Sequence, residues 1–318
     1  MNLMSLGRMT MRARSALWIS ISRILTLLAI MNFIVSASPS GEEMPRALAD
    51  YTLDFDTPCD PKLQSALEAI NVHLRNRFGM TTNQTAVGLL DLRSLRLAMI
   101  YPDRINYAAS VPKICILLAY FQLRPDAVTN LSPQTRHELG MMIKVSDNEM
   151  AAKYSRELDL APIRQVLDAY HFYDTNHGGG LWLGKHYGKG GERIGDPIAD
   201  HSHAATVRQL LRFYLLLEQG RLVSPAASKV MREIFESPTI PHLPDKFVQG
   251  LDGRAVQVLR KSGWWEDWRH DTAIITGPQR HYILVAMTRH AKGDDFLVEL
   301  ARAVDDLLSS NRATGASQ

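Results

Sequence analysis

Residues 109–121 read Ala-Ser-Val-Pro-Lys-Ile-Cys-Ile-Leu-Leu-Ala-Tyr-Phe. From Ile114 to Leu118 every side chain is apolar, so a helix here has no solvent face and belongs at the centre of the fold. Pro112 is compatible with its first turn, where the missing N–H would have no partner anyway. Ser110 and Lys113 stand three apart, which sets a hydroxyl and an amine on one helical face. Burial favours the neutral amine, which could then take the hydroxyl proton. The helix N-terminus adds positive backbone potential where a carbonyl oxygen would become negative. The plain reading of the same residues is an N-capping serine followed by a surface lysine.

Working outward, residues 61–78 read as a helix, and 85–92 with 95–101 as two β-rich runs joined at Arg93-Ser94, a hairpin. On the other side the pattern is mainly helical to about Phe235, broken by a long glycine-rich loop. Strand periodicity returns at 255–262, 271–276 and 281–288. The chain then closes on an amphipathic helix over 294–308, with Phe296, Leu297, Leu300, Val304, Leu307 and Leu308 on its inner stripe. Strands at both ends and helices between them imply an α/β fold of the α+β kind. One sheet is built from both chain ends, with a helical insert over about 110–235. The expected organisation is a lead-in over 38–60, one domain over 61–310 and a short tail over 311–318.

The 318 residues carry 36 Lys+Arg against 33 Asp+Glu, a formal charge of only +3, and no run of five basic residues. That balance argues against a nucleic-acid binder, and 46% hydrophobic residues argue against a disordered chain. Two cysteines, Cys59 and Cys115, exclude a disulfide-dense scaffold and a four-cysteine zinc site, and leave a Cys59–Cys115 disulfide open. At the N-terminus, Arg8, Arg12, Arg14 and Arg23 precede thirteen mostly apolar residues, 24–36, and the small residues around Ala37. This is the pattern of a secretory signal peptide over 1–37, cleaved near Ala37. Thirteen helical residues span about 20 Å, short of a bilayer core, which favours cleavage over a retained anchor. No cysteine stands near that point to carry a lipid. The expectation is a secreted or periplasmic protein with no stable membrane anchor.

Two more tripeptides carry chemistry. Ser146-Asp147-Asn148 follows Ser110 by 36 residues. Ser146 could relay a proton between Lys113 and a leaving nitrogen, and Asn148 could hold Lys113 and a substrate amide. Read plainly, the tripeptide is a helix start. Lys261-Ser262-Gly263 ends an expected strand: Gly263 leaves room for substrate, Lys261 and Ser262 could bind a carboxylate, and the Trp264 amide could join that of Ser110 as an oxyanion hole.

In order and context these motifs resemble those of the penicillin-recognising serine hydrolases, class A β-lactamases most closely. The matching segments are Ala109-Ser110-Val111-Pro112-Lys113, Val145-Ser146-Asp147-Asn148-Glu149-Met150-Ala151-Ala152, Arg260-Lys261-Ser262-Gly263, and the helix-like stretch 204–211. The resemblance implies an antiparallel sheet of the β-lactamase/transpeptidase type. It also implies an acyl-enzyme mechanism with Ser110 as nucleophile and Lys113 as base, no cofactor and no metal. The substrate would be a small molecule or peptidoglycan-like, and the protein a monomer.

Departures from the family pattern concern turnover. Class A enzymes deacylate with a glutamate acting through water, expected in the loop before 204–211. That loop, about 173–203, holds Glu192 alone, without the family's surrounding segment, so Glu192 is the candidate deacylation base, with His203 or His201 as alternatives. The interval from Ser110 to Ser146 is shorter than is usual for class A. His177, His186, His201 and His203 with Asp196 and Asp200 have metal-ligand chemistry but no known zinc-motif spacing. The glycine-rich run 179–185 nearly spells a phosphate loop, yet His186 stands where Ser or Thr is needed. Trp264, Trp265 and Trp268 either line a substrate cleft or cover the sheet edge. Arg269 reads as a surface arginine, or as help for a carboxylate. Three functions are compatible: hydrolysis of a β-lactam or related amide, a D-Ala-D-Ala-type peptidase or esterase slow on β-lactams, and a non-catalytic binding protein.

Overall fold

Five antiparallel strands drawn from both ends of the chain form the main sheet of the computed structural model, which describes residues 45–310. The signal-peptide reading of 1–37 and the tail 311–318 lie outside the described residues. The hairpin of β1 (Thr85–Asp91) and β2 (Arg96–Ile100) is followed by a small three-stranded sheet. That small sheet is made of β3 (Asn106–Tyr107), β6 (Trp182–Leu183) and β7 (His203–Ala205); β4 (Tyr173–Asp174) and β5 (Gly179–Gly180) pair separately. Then come β8 (Gln257–Trp265), β9 (Trp268–Gly277) and β10 (Arg280–Arg289), and the order in the main sheet is β2-β1-β10-β9-β8. The last strand therefore pairs with the first, Thr85 opposite Thr288 through Asp91 opposite Tyr282, and β8 is left on an open edge.

Both faces of the sheet are covered, and the sequence reflects it: β1 is buried along its whole length and reads as an apolar run rather than an alternation. One face packs on the helices Pro61–Phe78 and Gly293–Ser310 through Leu63, Leu67, Leu74, Phe296, Leu300 and Val304. Their partners are Val87, Leu89, Ala273, Ile275, Leu284 and Ala286. The other face meets the helix Val207–Glu218 so closely that a Cβ on Gly88 would stand 2.5 Å from Val207. The central helix Lys113–Leu123, where Ile114 to Leu118 are all buried, packs against the helices Asn148–Leu158 and Leu160–Ala169. Helix ends follow local chemistry. Asp60 accepts from Leu63 N–H with Pro61 in the first turn, and the same helix ends on Gly79 at φ 70°, a left-handed conformation that suits glycine.

The lead-in is part of the packed body from Pro45 onward. Leu48 and Leu53 are buried, Gln219 donates to the carbonyls of Leu48 and Tyr51, and Arg208 donates to that of Asp54. Cys59 and Cys115 are both free thiols, so the disulfide left open above is not made. Cys115 packs in the central helix, and burial pushes its thiol pKa up, the opposite of what a nucleophile needs. None of the described helices is long and apolar enough to cross a membrane.

Candidate active site

Two fully buried lysines from distant parts of the chain meet at one hydroxyl. Lys113 Nζ lies 2.5 Å from the carbonyl oxygen of Ser146, 2.7 Å from Asn148 Oδ1 and 3.2 Å from Ser146 Oγ. Lys261 Nζ lies 2.8 Å from the same Ser146 Oγ and 2.6 Å from the carbonyl of Ser262. The second tripeptide starts a helix, as its plain reading has it, and also brings Ser146 and Asn148 to the two amines. Asp147 caps the helix Asn148–Leu158 by accepting from Met150 N–H, and this turns Ser146 and Asn148 toward the amines. Ser146 itself is held at φ 62°, an unfavourable conformation for a non-glycine residue and one that recurs at functional sites.

Burial lowers the pKa of Lys113 to about 7, with Asp147 only partly offsetting it. Lys261 is also pushed well down, first by burial and then by Lys113. Two ammonium groups sharing one hydroxyl in a desolvated site are unfavourable, so loss of a proton from the pair is favoured near neutrality. In its neutral form Lys113 has two hydrogens, which the Ser146 carbonyl and Asn148 can accept, and a lone pair left over for a proton.

The central helix begins at Lys113, so Ser110 stands in the turn before it rather than on its face. Lys113 N–H donates to the Ser110 carbonyl at 3.3 Å, while the Ser110 hydroxyl has no hydrogen bond among the described residues. The base–hydroxyl contact expected from the spacing is therefore not closed; such contacts commonly tighten only with substrate bound. The turn is held from several sides. Ala109 is strained at φ 51°, and its carbonyl accepts from the buried Tyr187 hydroxyl at 3.0 Å. The Tyr187 ring also covers the Lys113 amine at 4.7 Å. Ala108 N–H donates to His203 O, and His270 Nε2–H donates to Tyr107 O at 2.8 Å. Because a carbonyl can only accept, His270 is the Nε2–H tautomer, and burial keeps it neutral with a pKa near 3.

The third motif runs deeper into the strand than the sequence suggested, since β8 continues through Trp265. Gly263 faces the turn that carries Ser110: a Cβ there would lie 2.8 Å from Ala108 O and 3.2 Å from Ser110 N. The two-residue turn Glu266-Asp267 joins Trp265 to Trp268, which makes those two the bonded pair and aims the Trp264 N–H at the open edge. Beneath the strand, Arg260 donates to Asp271 at 2.7 Å and to Asp245 at 2.5 Å. Arg269 is not available for a substrate carboxylate, because it pairs with Asp294 at 3.1 Å.

Glu192 is exposed and has no hydrogen-bond or ion-pair partner among the described residues, so it stands outside the cluster. No other carboxylate bonds to Lys113 or Ser110 among them either. His201 is half-buried, and His203 is buried with its pKa lowered to about 4 by burial and by Lys113. Asp196 is occupied as a loop brace, accepting from Tyr173 Oη and from the N–H groups of Ile198, Ala199 and His201. Among the described residues no three His, Cys, Asp or Glu side chains group as a metal site. The residues missed from sequence are Tyr187 and His270. One sits in an aperiodic loop and the other on a strand, and neither belongs to a motif.

A family model described as "Beta-lactamase enzyme family" matches residues 123–308, which takes in the second and third motifs but not Ser110 and Lys113. "Putative lipoprotein LppW" of Mycobacterium tuberculosis and its counterpart in Mycobacterium bovis are 26% identical over 212 residues, 63% of this chain. The chain spans about 61% of the length of these curated relatives. Among solved structures, a beta-lactamase from Sphaerobacter thermophilus superposes with a TM-score of 0.61 at 14% identity, covering 77% of this chain and 97% of that one. PBP-A gives 0.61 at 17%, covering 81% and 99%. The class A beta-lactamase from Mycobacterium abscessus gives 0.59 at 16%, covering 77% and 100%. At these identities the likeness is one of fold.

Proposed function

The chain belongs to the beta-lactamase enzyme family, and we propose that it is an exported serine hydrolase that opens a β-lactam or a related amide through an acyl-enzyme on Ser110. Ser110 Oγ attacks the carbonyl carbon while its proton passes to the neutral Lys113 amine. The developing oxyanion sits between the N–H groups of Ser110 and Trp264. Ser146 then carries a proton from the paired amines to the departing nitrogen, whose bond to the acyl carbon breaks. Lys261 and Ser262 hold a substrate carboxylate, and the Asn148 amide positions the acyl amide. The observation that carries this reading is the meeting of both lysines at Ser146 Oγ, since a purely structural serine needs no second buried amine. Export rests on the N-terminal pattern alone.

Turnover of nitrocefin by the wild-type protein, abolished in Ser110→Ala, is the direct test. Failure of every β-lactam tried to form an adduct on Ser110 would overturn the proposal. A second reading keeps the acylation chemistry but makes release slow, as in a peptidase or esterase that β-lactams inhibit. The exposed position of Glu192, apart from the cluster, favours it. Stoichiometric penicillin labelling without turnover selects that reading, and rapid multiple turnover rejects it.

A further inference from the structure

A second concave site of about 400 Å³ lies beyond the nucleophile along the same strand. Gly263 faces the Ser110 turn, and Trp265, two residues on, points from the same side of β8 about 7 Å further along. Trp265 is the cross-strand partner of Trp268, so the two residues share one face of the strand pair, and both line the cleft. Tyr107 and His201 complete an aromatic wall: Trp268 lies 6.2 Å from each ring, and those two rings are 5.9 Å apart. Trp265 is 54% exposed, so part of its indole is open to a ligand in the cleft. The volume is in the lower range for small-ligand pockets.

The polar groups narrow the chemistry. Arg193 is paired with Asp200 at 3.0 Å, and Arg289, stacked on Trp268 at 5.0 Å, has the Glu266 carboxylate lining the same cleft. Two guanidinium groups are thus matched by two carboxylates, so the cleft has no net preference for an ion. Burial lowers the pKa of His201, and a neutral imidazole both donates and accepts, as a hydroxyl requires. Flat aromatic faces ringed by planar hydrogen-bonding groups suit a ligand with an apolar C–H face and a hydroxylated edge. We propose that this cleft is a saccharide subsite, taking one or two neutral hexose-type rings beside the bond that Ser110 attacks. This goes beyond the hydrolase reading; only the placement beside the attacked bond rests on that reading, and the binding of sugar does not.

Tryptophan fluorescence titrated with N-acetylglucosamine tetramer and with cellotetraose tests this on the Ser110→Ala protein, in which acylation is impossible. The expected result is saturable binding of at least one tetramer, at least tenfold weaker in Trp268→Ala and in Arg289→Ala. Arg289 is exposed, so the second variant keeps the fold if the first does not. No saturation by either sugar up to about 10 mM, or equal affinity in both variants, would overturn the proposal. Binding in Ser110→Ala alongside failed acylation of the wild type would leave the saccharide subsite standing and remove the hydrolase reading.

Discussion

That Lys113, Ser146, Asn148 and Lys261 come together was legible because each stands in a short tripeptide or tetrapeptide with a stated chemical use; the contact of Ser110 with Lys113 was read from the same spacing and is not closed. Tyr187 and His270 were not legible, because their roles arise from tertiary approach: one hydroxyl reaching the Ala109 carbonyl, one imidazole reaching that of Tyr107. The burial of Lys113 has a directional consequence for pH. In the proposed mechanism its neutral form is the base, and its pKa is depressed to about 7, so the competent fraction grows as pH rises to that value and then levels off. The rate of Ser110 acylation by benzylpenicillin should therefore rise about tenfold per pH unit below about 7 and flatten above it. Stopped-flow acylation between pH 5 and 9 measures this; a rate independent of pH over that range removes Lys113 from the role of base.

Gly263 shows how a strand can be misread at its end. A glycine after Lys261-Ser262 signals a turn, and the expected strand stopped at 262. Here the missing side chain serves a close approach instead: β8 passes Ser110 and turns only at Glu266-Asp267, where Glu266 takes φ 48°. Gly263→Ala would drive a methyl group against the Ala108 carbonyl and part the strand from the nucleophile turn. Acylation should fall at least tenfold, with a stability loss of about 1–3 kcal/mol read from urea unfolding. Unchanged acylation would show that the strand and turn need not touch. Arg260 makes a second test on the same pair of strands. Arg260→Met strands the buried Asp271 carboxylate without its main partner and should cost about 3–5 kcal/mol. A shift of the urea midpoint worth less than about 1 kcal/mol would contradict that assignment.

The sheet made from both chain ends was readable from strand-period segments at the two ends and helices between. The helix Pro61–Phe78 was readable to its boundaries because Asp60, Pro61 and Gly79 punctuate it. The loop 173–203 was opaque, since it is stitched by backbone pairs such as Ile194 N–H to Gly184 O and by the Asp196 brace, none of which has a period. The lead-in was likewise underread: Leu48 and Leu53 are buried against the domain, worth about 1.5–3 kcal/mol each. A protein begun at Pro61 should accordingly melt several degrees below one begun at Pro45, as calorimetry would show. For the molecule as a whole, the proposed hydrolase activity depends on Ser110 becoming covalently acylated. Intact-mass spectrometry of the wild-type protein and Ser110→Ala, followed over time with benzylpenicillin, reads this without assuming a turnover rate. A single penicilloyl adduct on the wild type, mapped to Ser110 and missing from the variant, is the expected outcome. An unmodified wild-type protein, or an adduct that persists in Ser110→Ala, would refute the assignment.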